Sequence, residues 1–589
     1  MKLYEVNEDL IDVAMGRQEA DIVLRNTNLV NVCTGEILRA DVVIKGERIA
    51  LVGDSSHTVG DSTEVFDLKD KYVCPGFLDG HVHIESSMVT VTQFAKGILP
   101  HGTTGVFIDP HEIANVLGVE GVKLMIEESR HVPLRVYVTI PSCVPASFPE
   151  FETSGSEIGP KEVEELLAYD NVVALGEMMN YPGIIYKDKK MIDEVKVTLK
   201  HGKVVEGHFY GNMMELNAYV SAGISSSHES TSKEIGLAKA RLGMYVMIRE
   251  GSAWKDLKEV IKIVTEDGID SRRVCLVSDD RHPEDIVNEG HLDHIVNRAI
   301  EEGVDPVKAI QMVTINTAEH FNLDNDLGLI APGKYADLLV LDKIEPIKVS
   351  MVFVGGKLVA KDGSMLEKID GFNYPPHVKR TIKLARPLKP EDFKIQAPLE
   401  ARKVRANVIE AIEGSVLTKR RIIEVPVVNG EVVQDVENDI LKVASIERHK
   451  GSGEIGLGLV KGFKFRAGAV ASTVAHDSHN LLVVGVDDKD MAYACNRLTE
   501  VGGGMIAVED EKTLALAKLP IAGIVSDEPI ENVCVQVKEL SSAWRKLGCT
   551  MINPFMTMSL LALSVLPEIR VTNKGLIDTV NFKKIKLYE

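Results

Sequence analysis

Histidine and carboxylate residues follow short apolar runs throughout the middle of the chain. His81 and His83 stand two residues apart in the run GFLDGHVHIE. Because strand side chains alternate between the two faces, both imidazoles point the same way. Further candidates end later runs: Glu177, His208, His228 and Asp279. Imidazoles and carboxylates suit a pair of divalent metal ions, and such a pair makes hydroxide available near neutral pH.

The elements that must position these residues are apolar runs separated by helical segments. Between residues 75 and 320 the runs are GFLDGHVHIE, TTGVFIDPHE, LRVYVTIPS, NVVALGEMMN, KVVEGHFY, AGISSSHES, GMYVMIREG and RVCLVSDDRHP. Amphipathic segments such as KEVEELLAYD and AWKDLKEVIKIVTEDG lie between them. Buried strands with helical crossovers over about 250 residues predict an α/β fold, the (β/α)8 TIM-type barrel. Active sites of such barrels lie at the carboxyl ends of the strands, where the candidate ligands stand.

Each candidate ligand also has a less specific explanation when taken singly. A lone histidine or aspartate at a strand end more often caps or hydrogen-bonds than binds a metal, and an HxH pattern also arises by chance. The whole set is in phase with the strand ends of one barrel, which favours a metal centre.

Two other regions flank the predicted barrel. Alternating β patterns occur both before and after it, which predicts a small split β-sandwich domain built from residues 1–74 and 321–370. Near residue 370 the chain becomes rich in proline and basic residues, as in NYPPHVKR and LARPLKPEDF. We take this change as the start of an additional C-terminal α+β domain over residues 380–589.

Composition restricts the partners and the compartment. The formal net charge of −20, from 87 acidic and 67 basic residues, disfavours a nucleic acid or an anionic membrane as partner and leaves a neutral small molecule open. The start of the chain lacks a signal-peptide pattern, and no apolar stretch approaches the roughly 18 residues of a membrane span. The seven cysteines are scattered, with no CxxC pair. A disulfide framework is therefore not expected, and a cytoplasmic location is.

The segment PGFLDGHVHIESS, together with the later histidines and aspartate, resembles the amidohydrolase superfamily. The resemblance implies that His81, His83 and Asp279 bind one metal ion, while His208 and His228 bind the other.

One position departs from the superfamily pattern. Many members bridge the two metals with a carbamylated lysine from the fourth strand, whereas this chain reads GEMMN there, with Glu177 and no lysine. A carboxylate can also bridge two metals. The departure therefore indicates a narrower subgroup of the superfamily and remains compatible with a two-metal site.

A closer resemblance, to the adenine deaminases, covers essentially the whole chain. It rests on GHVHIESSM, IDPHEIANV, GEMMN, SSHES, SDDRHP and VAHDSHNLLVVG. It implies a metal-dependent aminohydrolase acting on a C–N bond of a cyclic amidine, which converts adenine to hypoxanthine and ammonia in purine salvage with hydroxide activated by two metals. It also favours Mn²⁺ or Fe²⁺, with Zn²⁺ possible, and a homo-oligomer (a dimer or larger).

The reaction also needs side chains that transfer protons, and a metal ligand can be one of them. Asp279, as a metal ligand beside the hydroxide, is placed to collect the proton of the nucleophile and pass it on. Glu229 is a candidate for protonating N1 of the purine, and equally for orienting the ligand imidazole next to it. His111, Glu112 and Asp280 also follow barrel strands, and we assign them to substrate binding.

Some alternatives stay open on the sequence alone. His476, Asp477 and His479 in VAHDSHN form a polar turn, a third metal site, or part of the substrate pocket if the C-terminal domain covers the barrel mouth. A cyclic amidohydrolase of the dihydroorotase or hydantoinase type is the alternative enzyme, although Glu177 argues against it. A cytidine-type zinc deaminase is excluded because it needs PCxxC. A non-catalytic protein on a decayed barrel is disfavoured by the intact ligand set.

Overall fold

The chain begins with a helix and a group of β-strands. The computed structural model describes residues 2–588. Its first elements are α1 (Asn7–Ala14), β1 (Ile22–Asn31), β2 (Glu36–Lys45), β3 (Arg48–Gly53), β4 (Glu64–Asp67) and β5 (Tyr72–Pro75).

Parallel strands form the middle of the molecule. They are β6 (Phe77–Val82), β7 (Thr103–Ile108), β8 (Arg135–Ile140), β9 (Val172–Met178), β10 (Val204–Gly207), β11 (Ser226–Ser227), β12 (Tyr245–Arg249) and β13 (Val274–Val277). Each of the apolar runs noted in the sequence contains one of these strands. β6, β7 and β9 are buried along their whole length, as expected for parallel strands covered on both faces.

The parallel strands pair in two groups that meet at both edges. The pairing orders are β10-β9-β8-β7-β6 and β11-β12-β13. At one junction the Ser225 N–H donates to the Val205 carbonyl over 3.0 Å, and at the other the Asp279 N–H donates to the His81 carbonyl over 3.0 Å. This closed arrangement is typical of a TIM-type barrel.

Helices follow the barrel strands and cover their outer face. They are α2 (Val91–Ile98), α3 (His111–Leu117), α4 (Val119–Ser129), α5 (Pro160–Leu166), α6 (Tyr181–Ile185), α7 (Lys189–Lys200), α8 (Met213–Ser221), α9 (Lys233–Arg241), α10 (Leu257–Val260), α11 (Lys262–Thr265), α12 (Pro283–Asn288), α13 (Leu292–Glu301), α14 (Pro306–Met312) and α15 (Ile315–His320). α13 buries Leu292, Ile295, Val296 and Ala299, the spacing of one helical face. Its sequence pattern therefore sets the face that packs on the barrel.

Strands from before and after the barrel share one sheet. The later ones are β14 (Leu338–Ile344), β15 (Ile347–Val354), β16 (Lys357–Lys361) and β17 (Ser364–Met365). The order is β17-β16-β15-β14-β5-β1-β2-β3, with β4 beside β1. The antiparallel pairing of β14 with β5 joins the two flanking segments.

The C-terminal part is built around a long, mainly antiparallel sheet. Its strands are β18 (Ile395–Gln396), β19 (Lys403–Ala411), β20 (Thr418–Val428), β21 (Glu431–Val432), β22 (Leu441–Ile446), β23 (Ile455–Lys461), β24 (Ala469–Ser472), β25 (Leu481–Gly485), β26 (Gly504–Glu509) and β27 (Lys512–Lys518). The remaining elements are α16 (Asp488–Val501), α17 (Ile530–Leu547), α18 (Pro554–Ser559) and a small sheet of β28 (Ile569–Thr572), β29 (Gly575–Asp578) and β30 (Lys583–Ile585).

Direct contacts fix the C-terminal part against the barrel. The Ser526 N–H donates to the Met88 carbonyl over 2.9 Å, and the Thr90 N–H donates to the Ser526 carbonyl over 3.1 Å. In the connection that precedes the C-terminal part, the Tyr374 hydroxyl donates to Glu128, whose carboxylate also accepts from the start of α2. Among residues 2–588, no helix combines the length and apolar character needed to cross a membrane.

The barrel interior below the polar mouth is filled by apolar and aromatic side chains. Phe107 on β7 stacks on Phe321 with ring centroids 3.9 Å apart, and on Tyr137 at 5.0 Å. Phe107 is fully buried. This packed layer supports the strand ends that carry the candidate ligands.

We predict that Phe107→Ala lowers the free energy of unfolding by about 3–5 kcal/mol, because it removes a buried aromatic ring and leaves a cavity. Thermal and denaturant unfolding would measure the change. Tyr186→Ala is the matched control, since that ring is 83% exposed, and it should have little effect. Equal losses in the two variants would contradict the role given to this layer.

Candidate metal centre

The six residues identified as ligands in the sequence come together at the carboxyl ends of the barrel strands. They are His81 on β6, His83 just after it, Glu177 on β9, His208 after β10, His228 after β11 and Asp279 after β13. Several triads among them bring one ligand atom each within 4.8 Å of the others. All six side chains are buried or nearly so.

Glu177 occupies the middle of this cluster. Its Oε1 lies 3.4 Å from Nε2 of His83, while its Oε2 lies 2.6 Å from Nδ1 of His208 and 3.1 Å from Nε2 of His228. One carboxylate oxygen therefore faces each histidine pair. The Glu177 N–H donates to Oδ2 of Asp109 over 2.8 Å, which holds the end of β9 in place.

Asp279 closes the cluster from the last barrel strand. Its Oδ1 lies 3.3 Å from Nε2 of His83 and 3.8 Å from Nε2 of His81. Its backbone has φ 56°, in the left-handed region that aspartate tolerates better than most residues. The same backbone donates to the His81 carbonyl and accepts from the His83 N–H, so it locks β13 to the HxH strand.

Unsatisfied nitrogen indicates that a cation belongs in the cluster. Nε2 of His81 is buried and has no hydrogen-bond partner among residues 2–588. The His81 ring stacks on that of His228 with centroids 4.0 Å apart. A buried imidazole nitrogen without a hydrogen-bond partner needs an explanation, and coordination of a metal ion would be one. With imidazoles and carboxylates converging on it, the cluster fits a divalent metal site.

The members of the cluster differ in the direction in which their pKa values are shifted. Burial alone would raise the pKa of Glu177, but the imidazoles of His208 and His228 lower that pKa well below its usual range. Burial, reinforced by the neighbouring histidines, lowers the pKa of His81. Burial opposes charge on His83 too, yet its hydrogen bond with Asp279 raises its pKa, so a metal ion bound there would displace a proton.

Arg249 belongs to the candidate site, and the sequence analysis did not identify it. It ends β12, and its guanidinium contacts Oε1 of Glu229, Oδ2 of Asp279 at 3.1 Å and Oδ2 of Asp256 at 2.7 Å. Arginine is not a metal ligand, so a search for ligand types passes over it. Its position at the end of the run GMYVMIREG, in phase with the other strand ends, was the available signal.

Glu229 stands beside the cluster as a carboxylate held by Arg249. Burial opposes its charge, but Arg249 and the ligand histidines His208 and His228 lower its pKa below the usual value. Its Oε1 contacts Arg249, whereas its Oε2 is buried without a hydrogen-bond partner in the described part of the chain.

The three residues assigned to substrate binding lie around the same mouth. Nδ1 of His111 is 3.5 Å from Oε1 of Glu177, and Nε2 of His111 is 3.3 Å from Oε1 of Glu112. Asp280 accepts a hydrogen bond from the Ser86 hydroxyl.

The VAHDSHN segment reaches this mouth from the C-terminal part. Nδ1 of His476 contacts one carboxylate oxygen of Glu112, and Nε2 of His479 contacts the other. All three side chains are buried. Three alternatives were given for this segment. Its position at the barrel mouth favours the alternative in which it forms part of the substrate pocket.

A cavity of about 420 Å³ opens beside the cluster. Its floor includes His83, Glu177, His208, His228 and Asp279. The C-terminal part adds apolar wall residues: Met556, Leu560, Leu563, Val565, Leu566 and Phe582. A polar floor under apolar walls, at this volume, is the usual form of a small-molecule site. The geometry therefore suits metal-assisted hydrolysis of a small molecule.

Two family models match the chain, one over the barrel and one over the C-terminal part, and these are the two parts that line the cavity. The amidohydrolase family model matches residues 72–383, more than half of the chain. The model of the adenine deaminase C-terminal domain matches residues 415–583. The site and the barrel thus define a metal-dependent hydrolase of the amidohydrolase family.

Relatives similar over the full length narrow the family further. The chain is 53% identical to an adenine deaminase of Moorella thermoacetica, over 99% of this chain and 98% of that protein. It is 49% identical to one of Clostridium botulinum, over 100% and 98%, and 44% identical to one of Mesorhizobium japonicum, over 99% and 97%. Within the amidohydrolases, the chain belongs to the adenine deaminase family.

We predict that Glu177→Gln weakens metal binding by at least about tenfold. A neutral amide has only one oxygen, so it cannot coordinate a metal ion at each of the two histidine pairs. Metal content after dialysis against graded chelator would measure the loss. Glu165→Gln is the control, since that exposed carboxylate pairs with Lys123 far from the cluster. A Glu177→Gln protein that kept its metal as tightly as the wild type would contradict the central place of Glu177.

Proposed function

We propose that this chain is an adenine deaminase that hydrolyses adenine to hypoxanthine and ammonia in purine salvage. The observation that carries the proposal is the full-length similarity to proteins named adenine deaminase, including the C-terminal domain. The cavity supports it, because a metal-ligand cluster lies under walls suited to a flat, uncharged base.

The ligand arrangement supports two divalent ions per chain. His81, His83 and Asp279 would hold one ion and His208 with His228 the other, with one oxygen of Glu177 directed at each set. Ligands without thiolate suit Mn²⁺ or Fe²⁺, which the family favours, and admit Zn²⁺. Two such ions would supply the nucleophile, since divalent metals lower the pKa of water toward neutrality.

Asp279 is the proposed proton carrier. Hydroxide adds to C6 of adenine, and ammonia leaves when the C6–N6 bond breaks, so the amino group must gain a proton. Oδ1 of Asp279 faces the ligand histidines, while Oδ2 is held by Arg249. This orientation leaves Oδ1 to take the proton of the attacking hydroxyl and deliver it to the leaving amino group.

Glu229 is the proposed relay to the ring nitrogen. When C6 becomes tetrahedral, N1 must accept a proton. Oε2 of Glu229 has no partner among the described residues, and the side chain lines the cavity. Because Arg249 keeps Glu229 anionic, Glu229 would first accept the proton released from water and then pass it to N1.

His111 and Asp280 are proposed to orient the base beside the cluster. Glu112 would act through His111, because both of its oxygens already contact histidines of the C-terminal segment.

The finer architecture completes the proposal. We take residues 75–320 as the (β/α)8 barrel, 1–74 with 321–370 as a split β-sandwich domain, and 380–589 as the α+β domain. The cysteines all carry free thiols, which supports a cytoplasmic location. A homo-oligomer is proposed from the family resemblance, and sedimentation of the purified protein would test it.

Adenine should release ammonia while adenosine reacts poorly, because the proposed pocket accepts a free base. A coupled ammonia assay over purines, nucleosides, hydantoins and dihydroorotate would measure the preference in metal-loaded protein. If adenosine were turned over faster than adenine, the proposed specificity would be wrong, while the assignment of the fold would be unaffected. Turnover of a hydantoin or dihydroorotate instead of adenine would favour a cyclic amidohydrolase.

Glu229→Gln should keep its metal while turnover falls by about 10²–10⁴, the usual contribution of a positioned acid or base. Asp279→Asn should lose at least as much activity and also bind metal more weakly, because Asp279 is both ligand and proton carrier. Metal content and initial rates on the same preparations separate these roles. Near wild-type turnover in metal-loaded Glu229→Gln would mean that Glu229 only braces its neighbours.

A further inference from the structure

A carboxylate of the C-terminal part lies in the wall of the cavity that contains the metal ligands. Asp477 belongs to the segment between β24 and β25, and its side chain is only 3% exposed. Its Oδ2 is buried without a hydrogen-bond partner among residues 2–588. Its Oδ1 lies 3.6 Å from Nδ1 of His476 and 4.0 Å from Nε2 of His111, beyond the usual limit of about 3.2 Å for such bonds.

Glu112 and Asp280, two other carboxylates that line the cavity, already have partners. Both oxygens of Glu112 contact imidazoles of the C-terminal segment, and Asp280 accepts from Ser86. Burying a carboxylate oxygen without a donor is unfavourable, so a free acceptor in a cavity wall indicates a donor on the ligand. Asp477 is thus available on the C-terminal side of the cavity, as Glu229 is on the metal side.

The segment that carries Asp477 is held firmly. The carbonyl of His479 accepts from the guanidinium of Arg448. The Asn480 amide donates to the Thr153 carbonyl over 2.9 Å, which ties the segment to the barrel side. Together with the contacts to Glu112, these bonds set the position of Asp477 before any substrate arrives.

Glu177, His111 and Asp477 line the same cavity. One imidazole ring separates Glu177 from Asp477, because Nδ1 of His111 lies 3.5 Å from Glu177 and its Nε2 lies 4.0 Å from Asp477. A purine whose C6 faces the ligands would extend its five-membered ring away from them. Free adenine carries an N–H on that ring, at N7 or N9, and a carboxylate accepts such a bond.

Resting on the proposed function, we propose that Asp477 accepts the N–H of the five-membered ring of adenine and thereby selects the free base over N9-substituted adenines. A substituent on N9 removes that hydrogen from both N7 and N9, so the carboxylate would stay buried and unpaired. Sites built to bond a donor reject analogues that lack it for this reason.

The test compares adenine with 9-methyladenine in the metal-loaded wild type, Asp477→Ala and Asp477→Asn. For adenine, kcat/KM should fall by about 10- to 100-fold in Asp477→Ala, mostly through KM, the usual effect of losing a hydrogen bond to a charged group. For 9-methyladenine, kcat/KM, or its inhibition constant where turnover is too slow, should not worsen. Asp477→Asn keeps one acceptor oxygen and should lie between.

Asp370→Asn is the matched control, since that carboxylate is 82% exposed and pairs with Lys368 outside the cavity, and it should leave both constants unchanged. Metal content and thermal unfolding, measured on each variant, show whether it is folded. If Asp477→Ala is misfolded, the comparison of the two bases is made with Asp477→Asn instead. Equal losses for the two bases, or no loss for adenine, would overturn the role of Asp477. A wild type that releases no ammonia from adenine would instead overturn the proposed function itself.

Discussion

The position of the Glu177 carboxylate between two histidine pairs is the constraint on which the rest of the site depends. One oxygen lies 3.4 Å from His83, and the other lies 2.6 Å from His208. The carboxylate lies between both pairs because β6, β9, β10 and β11 are parallel strands that end at the same mouth, although β7 and β8 separate β6 from β9. The bond from the Glu177 N–H to Asp109 and the backbone exchange between Asp279 and the HxH strand keep those ends in register.

The cavity is completed by two parts of the chain with different physical roles. The barrel contributes charged groups that are buried but paired, among them the Arg249 contacts with Glu229 and Asp279. The C-terminal part contributes apolar walls and the histidines that grip Glu112. Apolar walls lower the local dielectric constant, which strengthens the electrostatic interactions among the charged groups of the floor.

Much of the fold, and the grouping of the candidate ligands at one barrel mouth, could be predicted from the sequence for a physical reason. Buried parallel strands are continuous apolar runs, and a ligand that ends such a run lies at the barrel mouth, as Glu177 and His208 do. Arg249 was missed because arginine is not a metal-ligand type and contacts the carboxylates of the site instead. The contact of Glu112 with His479 joins residues 367 positions apart, and no local pattern reports which surface the C-terminal part covers.

Anomalous X-ray diffraction from crystals of the metal-loaded protein tests the central claim most directly. Data collected at the absorption edge of the loaded metal would locate each ion without reference to activity. The account predicts two peaks per chain, one on each side of the Glu177 carboxylate, with the second near His208 and His228. A single peak, or two peaks with Glu177 turned away from both, would contradict it.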